Sequence, residues 1–116
     1  MKFLKNKKIL ITGGTGFIGS RLINELTKAE CKIYLMVRQN NKLVNKIKNK
    51  KIIILKGNLA DIDFWKKNIR EKDFLIHLAA DESKFGSKID FVQNFNINVK
   101  SIFLALICAN QLNKKI

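Results

Sequence analysis

The chain has 116 residues and a formal net charge of +14, with 47% hydrophobic and 9% aromatic residues. That apolar share supports a core, which excludes a disordered basic tail, and the length suits one small domain. A domain of this size buries only about two thirds of the surface its unfolded chain exposes, leaving little room for a separate substrate domain.

Read by hydrophobic period, strand and helix alternate along the chain. Lys8 to Thr12 is a short apolar strand, followed by a glycine-rich turn and a helix over Phe17 to Lys28, where Ile18, Leu22, Ile23 and Leu26 recur at helical spacing. Lys32 to Arg38 is a second strand whose unbroken apolarity suits a position covered on both faces. Gln39 to Lys51 carries five lysines among its last ten residues and reads as a short helix or loop. A third strand, Ile52 to Lys56, ends at Gly57; a short helix over Ile62 to Ile69 follows behind an Asp61 N-cap. Asp73 to Ala80 is the fourth strand and Ile89 to Gln111 a long helix. Its residues Val92, Phe95, Val99, Ile102, Phe103 and Leu106 step by three and four and line one face. Strands alternating with helices predict an α/β fold, a partial Rossmann arrangement with four parallel strands in the order 3-2-1-4.

The charge invites a nucleic-acid partner, yet it is carried by 20 Lys and only 3 Arg, and Lys, Asn and Ile together make up 50 residues, the bias of AT-rich codons. Readers of bases and phosphates favour arginine forks and interleaved aromatics, so nucleic acid is a runner-up, through Lys42 to Lys51. Cys31 and Cys108 have no metal-ligand spacing and His77 is the sole histidine. A zinc site is thereby excluded, and the cysteines read as free thiols of a reducing cytoplasm. No signal peptide is expected, and the longest apolar run, Ile102 to Ala109, falls short of the roughly 20 residues a membrane crossing needs.

The chemistry concentrates in Thr12-Gly13-Gly14-Thr15-Gly16-Phe17-Ile18-Gly19, which leaves the first strand and opens the first helix. Glycine at such a turn lets backbone approach a pyrophosphate, and the helix N-terminus offers unpaired N–H groups to the anion. This stretch resembles the extended short-chain dehydrogenase/reductase family, the NAD(P)-dependent epimerases and dehydratases. Other segments resemble that family in the same order. Lys56-Gly57-Asn58-Leu59-Ala60-Asp61 is similar to its G-D-L-T-D, with Asn58 in place of Asp, and Ile76-His77-Leu78-Ala79-Ala80 to its H-L-A-A. Asn98-Val99 is similar to its N-V-x-G-T, with Ser101 where the family has Gly. The resemblance implies cofactor contacts at Gly13, Thr15, Gly16, Phe17, Ile18, Gly19, Asn58, Leu59, Leu78, Ala79, Ala80 and Asn98. His77, alone on an apolar strand, reads as structural.

Cofactor choice falls at the end of the second strand. Asp or Glu there suits the 2′-hydroxyl of NAD, whereas this chain has Arg38, with Lys42 four residues on. A guanidinium pairs with a 2′-phosphate, so NADP is favoured, NAD remaining possible.

The family's chemistry implies a Tyr-x-x-x-Lys pair. The one tyrosine is Tyr34, inside the second strand, and the residue four further on is Arg38. The chain therefore reads as the N-terminal part of a cofactor-binding domain, inactive alone and dependent on a C-terminal part for any nucleotide-sugar substrate. A non-catalytic NADP-binding or redox-sensing module is the alternative. The uncovered edge of the fourth strand predicts self-association or a partner chain.

Overall fold

The computed structural model describes residues 2–38, 49–81 and 90–112. After a 3₁₀ turn at Lys2–Leu4 come β1 (Lys8–Thr12), α1 (Phe17–Thr27), β2 (Lys32–Val37), β3 (Ile52–Lys56), α2 (Ile62–Ile69) and β4 (Phe74–His77). The chain closes with α3 (Phe91–Phe95), a π-helical turn (Asn96–Lys100) and α4 (Ser101–Gln111). The Gln39 to Lys51 segment lies outside the described residues up to position 48, and so does Ile89.

All four strands are parallel in the order β3-β2-β1-β4, as the alternation predicts. Ile11 pairs with Leu35 on one side and Ile76 on the other. Successive β1 side chains serve opposite layers. Ile9 and Ile11 join Ile23 and Leu26 of α1 with Ile33, Leu35 and Val37, while Leu10 joins Met36, the Phe64, Trp65 and Ile69 of α2, and Ala105, Cys108 and Ala109 of α4. Both faces of the central strands are thus covered, which is what their unbroken apolarity requires.

Asp61 caps α2 as predicted, its side chain accepting from the Asp63 N–H at 2.9 Å. β2 stops at Val37, one residue before Arg38, and β4 is confined to four residues because its partner β1 ends at Thr12. Leu78 to Ala80, expected as strand, lie beyond β4, with Leu78 alone extending its ladder by one hydrogen bond.

On the long helix, five of the six residues expected on one face, Val92, Phe95, Val99, Phe103 and Leu106, are exposed, as is Phe91, while Ile102 packs partly against the core. The buried face is the small-residue side, Ser101, Ala105, Cys108 and Ala109. Size explains this, since α2 brings Phe64 and Trp65, packed edge to face at 5.5 Å, and only small side chains on α4 let the two helices approach. The continuous helix Phe91–Gln111 is also long and apolar enough, by length and composition, to cross a membrane, which the eight-residue run did not reveal.

Candidate functional site

A cleft of about 1040 Å³ opens at the C-terminal ends of β1, β2 and β4, where the strand order reverses about β1. Open α/β sheets bind ligands at such a switch point, and the volume lies at the upper end of the roughly 300–1,000 Å³ of small-molecule sites.

The glycine turn forms its floor. Gly13 has φ of 69°, and a Cβ there would fall 2.5 Å from the Ala79 nitrogen and the Leu78 carbonyl carbon, so only glycine lets the turn lie against the chain leaving β4. Gly19 is equally closed: its Cβ would meet the Gly13 oxygen at 2.3 Å. The third glycine is expected to seat the helix against a strand, but here it seats α1 against the turn itself. Gly16 differs, for its Cβ would meet only the Gly13 oxygen, at 3.3 Å, and otherwise faces the cleft. As N-cap of α1 it supplies no side-chain acceptor to the first helical N–H groups. Thr15, Phe17 and Ile18 line the same wall. Phe17 and Ile18 are exposed there, so Ile18, which shares the helical spacing of Leu22, Ile23 and Leu26, faces the cleft rather than the core.

The facing walls come from the segments after β2, β3 and β4. Arg38, exposed, lines the cleft directly after β2 together with Met36 and Val37. Asn58 and Leu59 line it after β3. The Asn58 Oδ1 accepts from the Ala60 N–H at 2.9 Å, an Asx turn that a carboxylate could also make, so Asn in place of Asp preserves the loop and adds an amide donor. The Leu59 carbonyl accepts from the Trp65 Nε1–H at 2.8 Å, tying this loop to α2. Leu78, Ala79 and Ala80 line the cleft after β4. The Leu78 N–H donates to the Thr12 carbonyl at 3.1 Å, carrying the ladder one residue past β4.

Of the two remaining expected residues, Lys42 lies outside the described residues. Asn98 does not reach the cleft: its Oδ1 accepts from the Asp81 N–H at 2.7 Å and its Nδ2 donates to the Asp81 carbonyl at 3.2 Å. It holds the backbone beyond Ala80 instead. Its neighbours Asn96 and Ile97, with Gln93 and Val92, form a wall that the sequence motifs do not mark. The spacing Asp90-x-x-Gln93 at the start of α3 signals that helix start; the Asp90 Oδ1 accepts from the Gln93 N–H at 3.0 Å. Asp90, the sole carboxylate among the lining residues, is thereby committed to a cap.

His77, read as structural from the sequence, has a partner on each ring nitrogen. Its Nδ1 lies 2.7 Å from the Thr12 hydroxyl and its Nε2 3.1 Å from the Ser101 hydroxyl, with both of those side chains fully buried. The Trp65 ring stands edge-on at 6.1 Å. Burial holds the His77 pKa below the usual histidine value. Thr12 and Ser101 lie 65 and 24 residues away in sequence, so no local motif announces the set.

The sequence profile of the NAD dependent epimerase/dehydratase family matches residues 9–114. The dTDP-D-glucose 4,6-dehydratase of Dictyostelium discoideum is 38% identical over 122 aligned positions, covering 94% of this chain and 27% of that protein. Among solved structures, the UDP-N-acetylglucosamine 4-epimerase of Methanobrevibacter ruminantium M1, in complex with UDP-N-acetylmuramic acid, superposes with a TM-score of 0.77 at 30% identity, over 96% of this chain and 36% of that one. The Bordetella bronchiseptica enzyme WbmG in complex with NAD shares the fold, with a TM-score of 0.78 at 20% identity over 96% and 36%. The chain thus spans between a quarter and two fifths of the length of these proteins. With four parallel strands in the 3-2-1-4 order and a family match running from β1 to beyond α4, the chain belongs to the NAD dependent epimerase/dehydratase family.

Proposed function

We propose that the cleft binds a dinucleotide, with NADP preferred over NAD. The observation that carries this reading is the turn: Gly13 and Gly19 are closed by backbone, whereas Gly16 leaves its missing side chain's space open to the cleft at the uncapped start of α1. That geometry suits a pyrophosphate, with Thr15, Phe17 and Ile18 beside it. Arg38 stands where the adenosine ribose would lie, and no carboxylate from β2 opposes a 2′-phosphate there. Asn58 and Leu59 would border the adenine; Leu78, Ala79 and Ala80 would lie along the phosphates and the second ribose. Lys42 is assigned a supporting charge on sequence grounds alone. The bound group would supply hydride chemistry; the residues of this chain bind and orient it.

No Tyr-x-x-x-Lys pair is among the 116 residues, and Tyr34 sits in β2 with the Lys72 ammonium 4.0 Å over its ring. We read these residues as the cofactor-holding part of an epimerase, dehydratase or reductase, whose acid–base pair and nucleotide-sugar site come from elsewhere. The small-residue face of α4 packs on α2 as a core helix does, and the two free cysteines suit the reducing cytoplasm. Calorimetric titration tests the cofactor assignment. NADPH is expected to bind more tightly than NADH, and Arg38→Asp to erase the difference, a loss on the order of 1.5–3 kcal/mol for one charge-assisted contact. Equal affinities for both cofactors in the unaltered chain would refute the role of Arg38.

A further inference from the structure

The hydrogen bonds around His77 have a direction that donor counting determines. The Ser101 N–H reaches back five residues to the Asn96 carbonyl, within the π-helical turn, and the Ser101 hydroxyl donates its single hydrogen to the Ile97 carbonyl. Ser101 Oγ is then an acceptor toward His77, so the ring carries its hydrogen on Nε2. Nδ1 is consequently an acceptor and takes the Thr12 hydroxyl hydrogen at 2.7 Å. The Thr12 oxygen in turn accepts from the Ala79 N–H at 3.3 Å. Four bonds therefore run one way, from Ala79 through Thr12, His77 and Ser101 to Ile97. Ala79 and Ile97 stand on two different walls of the cleft.

We propose that His77 is a positioning residue for the cleft, its neutral Nε2–H ring holding the Ala79 backbone and the π turn at Ile97 in register, and that protonating this ring loosens the two walls together. The proposal rests on the dinucleotide reading only where ligand affinity is concerned. A second proton on Nδ1 would face the hydrogen of the Thr12 hydroxyl, which must then turn away. Thr12 is fully buried, so the displaced hydrogen loses its acceptor. The bond from Ala79, already the longest of the four, is the one with least to hold it. The side chains that hydrogen-bond to the ring or stack edge-on to it among the described residues, Thr12 of β1, Ser101 of α4 and Trp65 of α2, are all uncharged. Burial lowers its pKa, and a hydroxyl hydrogen on Nδ1 favours the neutral ring in the same sense. Burial pushes up the pKa of Cys108, a thiol on the buried face of α4, with Lys66 pulling the other way.

Because His77 is the only histidine, its ring gives a single set of imidazole signals. Long-range ¹⁵N–¹H spectra of the full chain near pH 8 should show the proton on Nε2. Between about pH 8 and about pH 5 the Ala79 and Ile97 amide signals should move with the midpoint of the ring. Across that midpoint NADPH affinity should weaken about three- to tenfold more in the unaltered chain than in His77→Gln, where the 2′-phosphate alone titrates. Saturating NADPH should lower the midpoint by linkage. In Ser101→Ala, which keeps the ring, Ala79 should still follow the titration while Ile97 no longer does; this variant serves if His77→Gln does not fold. A proton on Nδ1, an Ala79 amide indifferent to the ring, or an unchanged pH dependence in His77→Gln would overturn the proposal. Failure of NADPH to bind near pH 8 while Ala79 and Ile97 still track the ring would establish the relay and refute the dinucleotide reading.

Discussion

At the scale of single residues, the three spaced glycines do separate work. Gly13 and Gly19 are required because a Cβ at either would stand 2.3 to 2.6 Å from backbone atoms, whereas a Cβ at Gly16 would meet the Gly13 oxygen at 3.3 Å and otherwise face the cleft. Gly13→Ala should therefore cost about 2 kcal/mol or more of stability, combining a left-handed backbone with a clash. Gly16→Val, at φ −77° and ψ 179°, occupies extended backbone that a branched residue adopts freely. It should shift stability by no more than about 1 kcal/mol while weakening NADPH at least about tenfold. Paired denaturant melts and titrations check this, and a Gly16→Val chain with full affinity would make the turn purely structural. His77 gives a pH-dependent term whose sign follows from its lowered pKa. The unfolded chain takes up the proton at the ordinary value of 6.5, the folded one only at lower pH. The stabilisation is complete above 6.5 and is lost as pH falls from there toward the folded value. Urea melts at neutral and mildly acidic pH should show this loss, and His77→Gln should flatten it in that window.

Secondary-structure elements were legible in the sequence wherever one signal acted alone. The bounds of β1, β3 and α2 coincide with the apolar runs and the Asp61 cap. Asp61→Ala should accordingly cost about 1 kcal/mol in thermal or denaturant melts. The orientation of the long helix was not legible, because periodicity marks an apolar face without saying what it meets. Two apolar faces compete on that helix, and the bulk of Phe64 and Trp65 decides for the one with small residues. The π turn was equally hidden, since the hydroxyl that occupies the Ile97 carbonyl is ordinary serine in sequence. Phe91, Phe95 and Phe103, at 78%, 55% and 61% exposure, remain outside, and β4 has β1 on one side only. Such an edge beside apolar surface predicts association at tens of micromolar, the +14 charge being screened beyond about 8 Å at physiological salt. Light scattering should detect it, with Phe103→Glu reducing it; a stable monomer that melts cooperatively would contradict this expectation.

For the whole molecule, the sheet order puts the turn after β1 and the segments after β2, β3 and β4 around one cleft. Twelve of the fourteen residues expected from sequence line it, because family-like motifs follow strand ends and strand ends converge in a parallel sheet. The wall built by Val92, Gln93, Asn96 and Ile97 was not legible, since it depends on how the helix after β4 folds back across the opening. Asn98 was placed by resemblance to an N-V-x-G-T helix that departs here at Ser101, and its amide serves Asp81. Whether a dinucleotide occupies this cleft decides the function of the chain. Amide chemical-shift mapping of the ¹⁵N-labelled chain during titration with NADPH asks that directly. Saturable shifts at Gly13 to Gly19, Arg38, Asn58, Leu59 and Leu78 to Ala80 are the predicted result; no saturable change, or changes confined to the far face of the sheet, would contradict it.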